Sequence, residues 1–253
     1  MKVKTILLIL FSIQHLSGYA QAQQNMFVPT VLVEFFTSEG CSSCPLADEF
    51  GTNIRTIADS SKQRVYTLDW HVDLWNQSGW VDPFSDSLYT QRQEGMAKAN
   101  KQPAMFTPMV FVNGKGALPA GAKGEVGKLI ESNIRKPAQN FVLLSASWMP
   151  DSKMLLIDYE IKGKIDSCDF MIVLAQNEAY SVPTAGENMG KKLSHHNVVR
   201  KVVATDKPTA IGALTMELAS AQLDFSQYKL MGILQHKRTK QIFACQLLEF
   251  NKK

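Results

Sequence analysis

The chain has 253 residues, 45% hydrophobic and 20% charged, with a formal net charge of +4. Such a length holds one large domain or two ordinary ones, and the apolar share is enough for a packed core. The small charge excludes the strongly basic class built for nucleic acid or an anionic membrane surface.

Residues 1–22 read as a secretory signal. Lys2 and Lys4 make a basic start, and residues 6–13 form an apolar run too short to span a bilayer. Ala20-Gln21-Ala22 then offers the small residues of a cleavage site, with the cut expected after Ala22. No later segment is long and apolar enough to be a membrane helix. The mature chain is therefore expected to be exported, periplasmic or secreted, with no membrane span after signal cleavage, where disulfides persist.

Residues 23–136 alternate strand and helix signals. Residues 30–36 are a β-branched and aromatic run, as in a buried strand. Over residues 45–58, Leu46, Phe50, Ile54 and Ile57 recur at helical spacing, and Pro45 suits a first helical turn. Residues 64–71 form a second strand and residues 85–99 a helix. Residues 108–113 form a third strand ending in Asn113-Gly114, a hairpin signal, and a helix follows over 121–135. Strand, helix, strand implies a parallel pair joined by a right-handed crossover. Residues 72–102 are an insertion in that layout.

Residues 137–253 are mostly strand signals. Val142, Leu144, Ala146 and Trp148 alternate with polar residues, as do Leu155, Ile157, Tyr159 and Ile161. Further strands are expected at 170–175, 197–203, 214–218, 228–235 and 241–250. The fold class is thus α/β (α+β), with a mainly β C-terminal domain expected to be a β-sandwich.

The chemistry is expected at Cys41-Ser42-Ser43-Cys44, which follows a strand and opens a helix. Unpaired N–H groups and the helix dipole favour a thiolate there. Cys41 is the expected nucleophile and Cys44 the resolving thiol. A static disulfide or a pair of metal ligands are the other readings; zinc normally needs a second pair at similar spacing, which Cys168 and Cys245 do not supply. The second strand ends at His71-Val72-Asp73, so His71 and Asp73 are expected near the cysteines. His71 would then lower the thiol pKa or shuttle a proton, or simply be held by Asp73. Trp70, Trp75, Trp80 and Phe84 form either a rim that receives a partner or a satellite core. Glu39 and Asp48 bring negative charge that opposes an extremely acidic Cys41.

Val33-Glu34-Phe35-Phe36, Cys41 to Cys44, and Thr107-Pro108 before a strand resemble the thioredoxin superfamily. The resemblance implies a cis Pro108 facing the cysteines and a Thr107 that offers its backbone to substrate. It also implies that Glu34 is a buried proton acceptor for Cys44, although one extra residue separates it from Cys41; a Glu reaching solvent is the other reading. Residues 36–45, His71-Val72-Asp73-Leu74-Trp75, residues 79–84, Gly186-Glu187-Asn188 and residues 196–200 more closely resemble the family called domain of unknown function 1223, exported bacterial proteins with a thioredoxin-like fold. That resemblance implies the fold and no activity.

Cys168 and Cys245 lie on expected strands, where an oxidising compartment makes a structural disulfide the expectation and two buried thiols the alternative. Residues 186–190 and His195-His196 read as a turn. The expected function is thiol–disulfide exchange with protein or peptide thiols and disulfides, served by a redox-recycling partner and needing no cofactor. Two alternatives stand beside it. One is a copper(I) carrier completed by His71, Met105 or Met109; the other is a redox-inert binding protein.

Overall fold

A computed structural model describes residues 27–149, 153–218 and 224–250. The expected signal segment, residues 1–22, lies outside the described residues. Among these, eleven strands and three α-helices form one eight-stranded mixed sheet and a small three-stranded antiparallel sheet.

Strand β1 (Val31–Thr37) is buried along its whole length, as its unbroken apolar run requires. Helix α1 (Cys44–Ser61) starts with Pro45 in its first turn and stops at Lys62, whose left-handed backbone lets its N–H reach Asp59 O. Strand β2 (Val65–His71) pairs parallel to β1, from Val31↔Val65 to Thr37↔His71. Helix α2 (Ser87–Ala99) begins at Asp86, whose side chain accepts from Leu88 N. Strand β3 (Met109–Val112) runs antiparallel to β1 and forms a hairpin with β4 (Lys115–Pro119) through Asn113-Gly114, both at positive φ. Helix α3 (Lys123–Ile134) closes this half.

The remaining strands are β5 (Phe141–Trp148), β6 (Met154–Lys162), β7 (Cys168–Ser181), β8 (Leu193–Thr205), β9 (Ile211–Glu217), β10 (Tyr228–His236) and β11 (Ile242–Glu249). All seven strands expected in this half are present. They do not form a separate sandwich. Four of them extend the first sheet in the order β11-β10-β7-β8-β2-β1-β3-β4, joined by the parallel contact Asp69↔Val198. Without that join β2 would present an unpaired edge. Only β5, β6 and β9 make a second layer.

One sheet therefore has two faces with different covers. Leu32, Phe36, Trp70 and Phe111 share one apolar cluster with Met171, Val173 and Ile233, on the side of α2. On the other side, Val31, Val33 and Phe35 pack with Ala47, Ile54 and Val126 of α1 and α3. Further along that side, Phe170, Ile172 and Leu230 pack against Val142, Ile157 and Met216 of the small sheet. Side chains alternate along each strand, so these clusters assign every residue of β1 and β2 to a face.

Candidate functional site

The cysteines lie where β1 passes into α1. The turn is closed by backbone bonds from Cys41 N to Ser38 O and from Cys44 N to Cys41 O, both 3.2 Å. Ser43 makes no side-chain cap, so the first-turn N–H groups of α1 are left without one. Cys41 Sγ lies 3.4 Å from Ser43 Oγ and 3.5 Å from Thr107 O, and the Thr107–Pro108 bond is cis. Both sulfurs are free thiols near disulfide distance.

Their surroundings make the two thiols unequal. Hydrogen bonding from Cys44 chiefly, helped by Ser43 and Thr107 against the effect of burial, lowers the Cys41 pKa to about 6. Burial and the adjacent Cys41 push Cys44 well above its ordinary value. At neutral pH the outer sulfur is thus the more readily ionised of the two and the inner one holds its proton.

Behind the turn lies a buried polar cluster. His195, on β8, meets Asp48 Oδ2 at 2.9 Å through Nδ1 and Glu39 Oε1 at 3.0 Å through Nε2. Burial disfavours its charge, but the bonds to Asp48 and Glu39 win and raise its pKa to about 10. His195 is therefore a cation that donates from both ring nitrogens. Burial would raise Glu39 too, yet bonds from His195, Ser181 and Trp80 hold its carboxyl below the usual range. Asp82 accepts from His71 Nδ1 at 2.7 Å and from Glu39 N at 2.9 Å, which ties the cluster to the turn. Asp69, on β2, is fully buried, and burial together with Asp48 pushes its pKa far up.

The segment at 186–190 docks on the same turn. Asn188 is fully buried and its Nδ2 donates to Glu39 O at 2.8 Å and to Cys41 O at 2.9 Å. Glu187 Oε2 accepts from Ser42 N at 2.8 Å. Gly186 has φ +76, and a Cβ there would meet Trp80 Cβ at 3.1 Å. The turn is thus held by residues almost 150 positions away, which no local signal shows.

Several expectations need correction. Glu34 is fully buried, but not beside Cys44 and not in solvent. It shares its face with Leu32 and Phe36, opposite α1, and accepts from Arg92 Nη2 at 2.7 Å and Nε at 3.0 Å. Arg92 also reaches Gln235 and lies 4.7 Å from the Trp70 ring centre. His71 is on the cysteine side, but Asp82 holds it and not Asp73, which accepts from Thr90. No hydrogen bond joins His71 to Cys41 among the described residues. Cys168 and Cys245 are separate buried thiols, not a disulfide. Cys168 points with Phe170 toward the small sheet and Cys245 with Ile233 toward the α2 side, so the sheet itself separates the sulfurs.

Other expected positions meet at the turn. Trp75 Nε1 donates to Thr107 Oγ1 at 2.7 Å, with the residue 38% exposed. Trp70 is core, while Trp80 and Phe84 pack over the polar cluster. Met109 is buried on the α2 side, where its sulfur meets Gln93, and Met105 packs on the same cluster.

The fold and site define a mixed α/β protein whose Cys-x-x-Cys turn opens a helix and is completed by its C-terminal half. The chain belongs to the family described as "Protein of unknown function (DUF1223)", whose model matches residues 32–235. No curated protein matches it. Among solved structures it resembles protein AGR_C_4864 from Agrobacterium tumefaciens, at 22% identity and TM-score 0.64, over 90% of this chain and 97% of that one. It also resembles HBP35 of Porphyromonas gingivalis, at 18% identity and TM-score 0.62, over 89% of this chain and 76% of that one. At these identities the likeness is one of fold.

Proposed function

We propose that this chain is an exported thiol–disulfide exchange protein whose β1, α1, β2 and β3 form a thioredoxin-like unit. The observation that carries this reading is the unequal pair: Cys41 lowered to about 6 beside Thr107 O, and Cys44 held protonated behind it. In the reducing direction, the Cys41 thiolate attacks a partner disulfide. A Cys41–partner bond forms as the partner S–S bond breaks, and the first partner sulfur leaves as a thiolate that takes a proton. Cys44 then loses its proton and attacks Cys41 sulfur. The Cys41–Cys44 disulfide forms and the second partner sulfur leaves. The partner gains two electrons and the pair loses two; the reverse sequence oxidises a partner dithiol.

Partners are protein or peptide thiols and disulfides, with a separate thiol system in the exported compartment to recycle the pair. Trp75 and Thr107 sit where such a partner would lie. The test is the reduction potential of the pair in mature protein, by equilibration in graded thiol buffers with mass-spectrometric trapping. A reversible two-electron transition between about −120 and −270 mV supports exchange, whereas a pair still oxidised below about −300 mV is a structural disulfide and removes the reading.

A further inference from the structure

Resolution of a mixed disulfide needs Cys44 deprotonated, and burial opposes that. Glu34 cannot help, because the sheet lies between them. On the cysteine side, three buried atoms make no hydrogen bond among the described residues: Thr37 Oγ1, His71 Nε2 and Asp48 Oδ1. All three belong to the side of the sheet that α1, and with it Cys44, covers. Thr37 and His71 are register partners at the ends of parallel strands β1 and β2, which lie about 4.8 Å apart. Both face α1, since they alternate with Phe36 and Trp70 of the α2-side cluster. Asp48 follows Cys44 by one helical turn, on the same side of α1. Thr37 also acts directly on Cys44, favouring its thiolate. His195 closes the group, bonded to Asp48 and with its ring 4.6 Å from that of His71.

Buried polar atoms are satisfied by protein or by ordered water, and a buried water makes roughly three hydrogen bonds. We propose that ordered water held by Thr37, His71 and Asp48 carries the Cys44 proton to His71 Nε2 when a mixed disulfide is resolved. The inference rests on the exchange reading above and supplies its missing base.

The dyad geometry suits that task. Asp82 is held ionised by His71 and by the Glu39 and Phe84 amides against burial, so His71 Nδ1 donates to it and the Nε2 lone pair is left to accept. Asp82, Asp48 and Glu39 bring three carboxyl groups to this side, faced by the cation His195 and, from α1, by Arg55, which acts on Asp48 and Asp69. Burial and Asp48 push the Asp69 carboxyl far up, and Phe84 walls the His71 ring at 5.3 Å, with Arg200 5.1 Å from the Phe84 ring centre. In the step, the Cys44 S–H bond breaks, the proton passes through water to His71 Nε2, and the Cys44 sulfur displaces the partner thiolate from Cys41. That leaving thiolate is reprotonated from solvent.

The test is stopped-flow reaction of the reduced mature chain with the aromatic disulfide DTNB. The first thiolate released reports attack by Cys41 and the second reports resolution by Cys44. His71→Gln and Thr37→Val are expected to slow the second phase roughly tenfold or more, and to flatten its pH dependence, with the first phase unchanged. The wild-type second phase is also expected to slow in heavy water. A second phase with wild-type rate and pH profile in folded His71→Gln and Thr37→Val overturns the proposal. If His71→Gln does not fold, His71→Asn decides by the same two outcomes, because Thr37→Val alone would also slow the second phase through the direct effect of Thr37 on Cys44. Absence of any second phase in the wild-type chain is a different failure, that of the exchange reading itself.

Discussion

Asp48, in the first turns of α1, lies 2.9 Å from Nδ1 of His195, a residue 147 positions further along the chain. Through its other nitrogen the same ring holds Glu39, so one cation from the C-terminal half clamps both flanks of the cysteine turn. Its folded-state pKa, about 10, stands above the ordinary 6.5. A group with a raised folded pKa contributes stability that is fully present below its unfolded value and lost as pH rises through its folded value. In the Cys41→Ser/Cys44→Ser chain, where the lowered Cys41 thiol no longer adds the opposite slope over pH 6 to 9, unfolding free energy is therefore expected to fall between pH 6.5 and about 10, measured by urea titration at several pH values with His195→Ala made in the same background. His195→Ala leaves two buried carboxylates without their cation, which costs about 3–5 kcal/mol, and should abolish that slope. An unchanged slope in the variant would remove His195 as its source.

The thiol prediction concerns rate. Cys41 reacts only as thiolate, so its alkylation should rise with pH through about 6 and level off above it. The measurement is iodoacetamide modification of the reduced chain, with the site read by mass spectrometry. A midpoint close to the ordinary 9.0 would mean that the turn does not activate the sulfur.

Asn188 offers a test of how the two halves share the site. Its amide donates to two carbonyls of the turn, Glu39 O and Cys41 O, with no exposure to water. Asn188→Ala leaves both carbonyls short of a donor, at about 1–3 kcal/mol, and should slow exchange by loosening the turn. Asn188→Asp keeps the shape but replaces the donor with an acceptor, and is expected to be no better than Ala. Wild-type stability and exchange in the Asp variant would show that shape, rather than donation, holds the turn.

Much of this architecture is legible in the sequence, because it is local. The buried run of β1, the helical spacing after Pro45, the hairpin at Asn113-Gly114 and the seven later strands all follow from short-range pattern. The Cys-x-x-Cys turn is legible for the same reason. What pattern does not show is which strands neighbour each other, so the joining of β8 to β2 stayed hidden, and with it His195, Asn188 and Glu187. His195-His196 reads as a turn in the sequence, whereas both residues lie on β8. The face of Glu34 was readable in principle. Along β1 Glu34 alternates with Val33 and Phe35, which pack toward α1, so it shares the opposite face with Leu32 and Phe36.

That difference of face yields a separable outcome. Glu34 has no exposure and its ion-pair partner Arg92 has only 12%, so Glu34→Gln strands a largely buried guanidinium. The expected cost is about 3 kcal/mol, measured by urea unfolding. Replacing Glu34 and Arg92 together by leucine should recover part of that loss, because an apolar pair needs no mutual charge. Both phases of thiolate release from DTNB are expected to keep their wild-type rates in Glu34→Gln, since the sheet separates Glu34 from Cys44. A slowed second phase in a folded Glu34→Gln would place the acid back on the resolving thiol's path and contradict the assignment of faces.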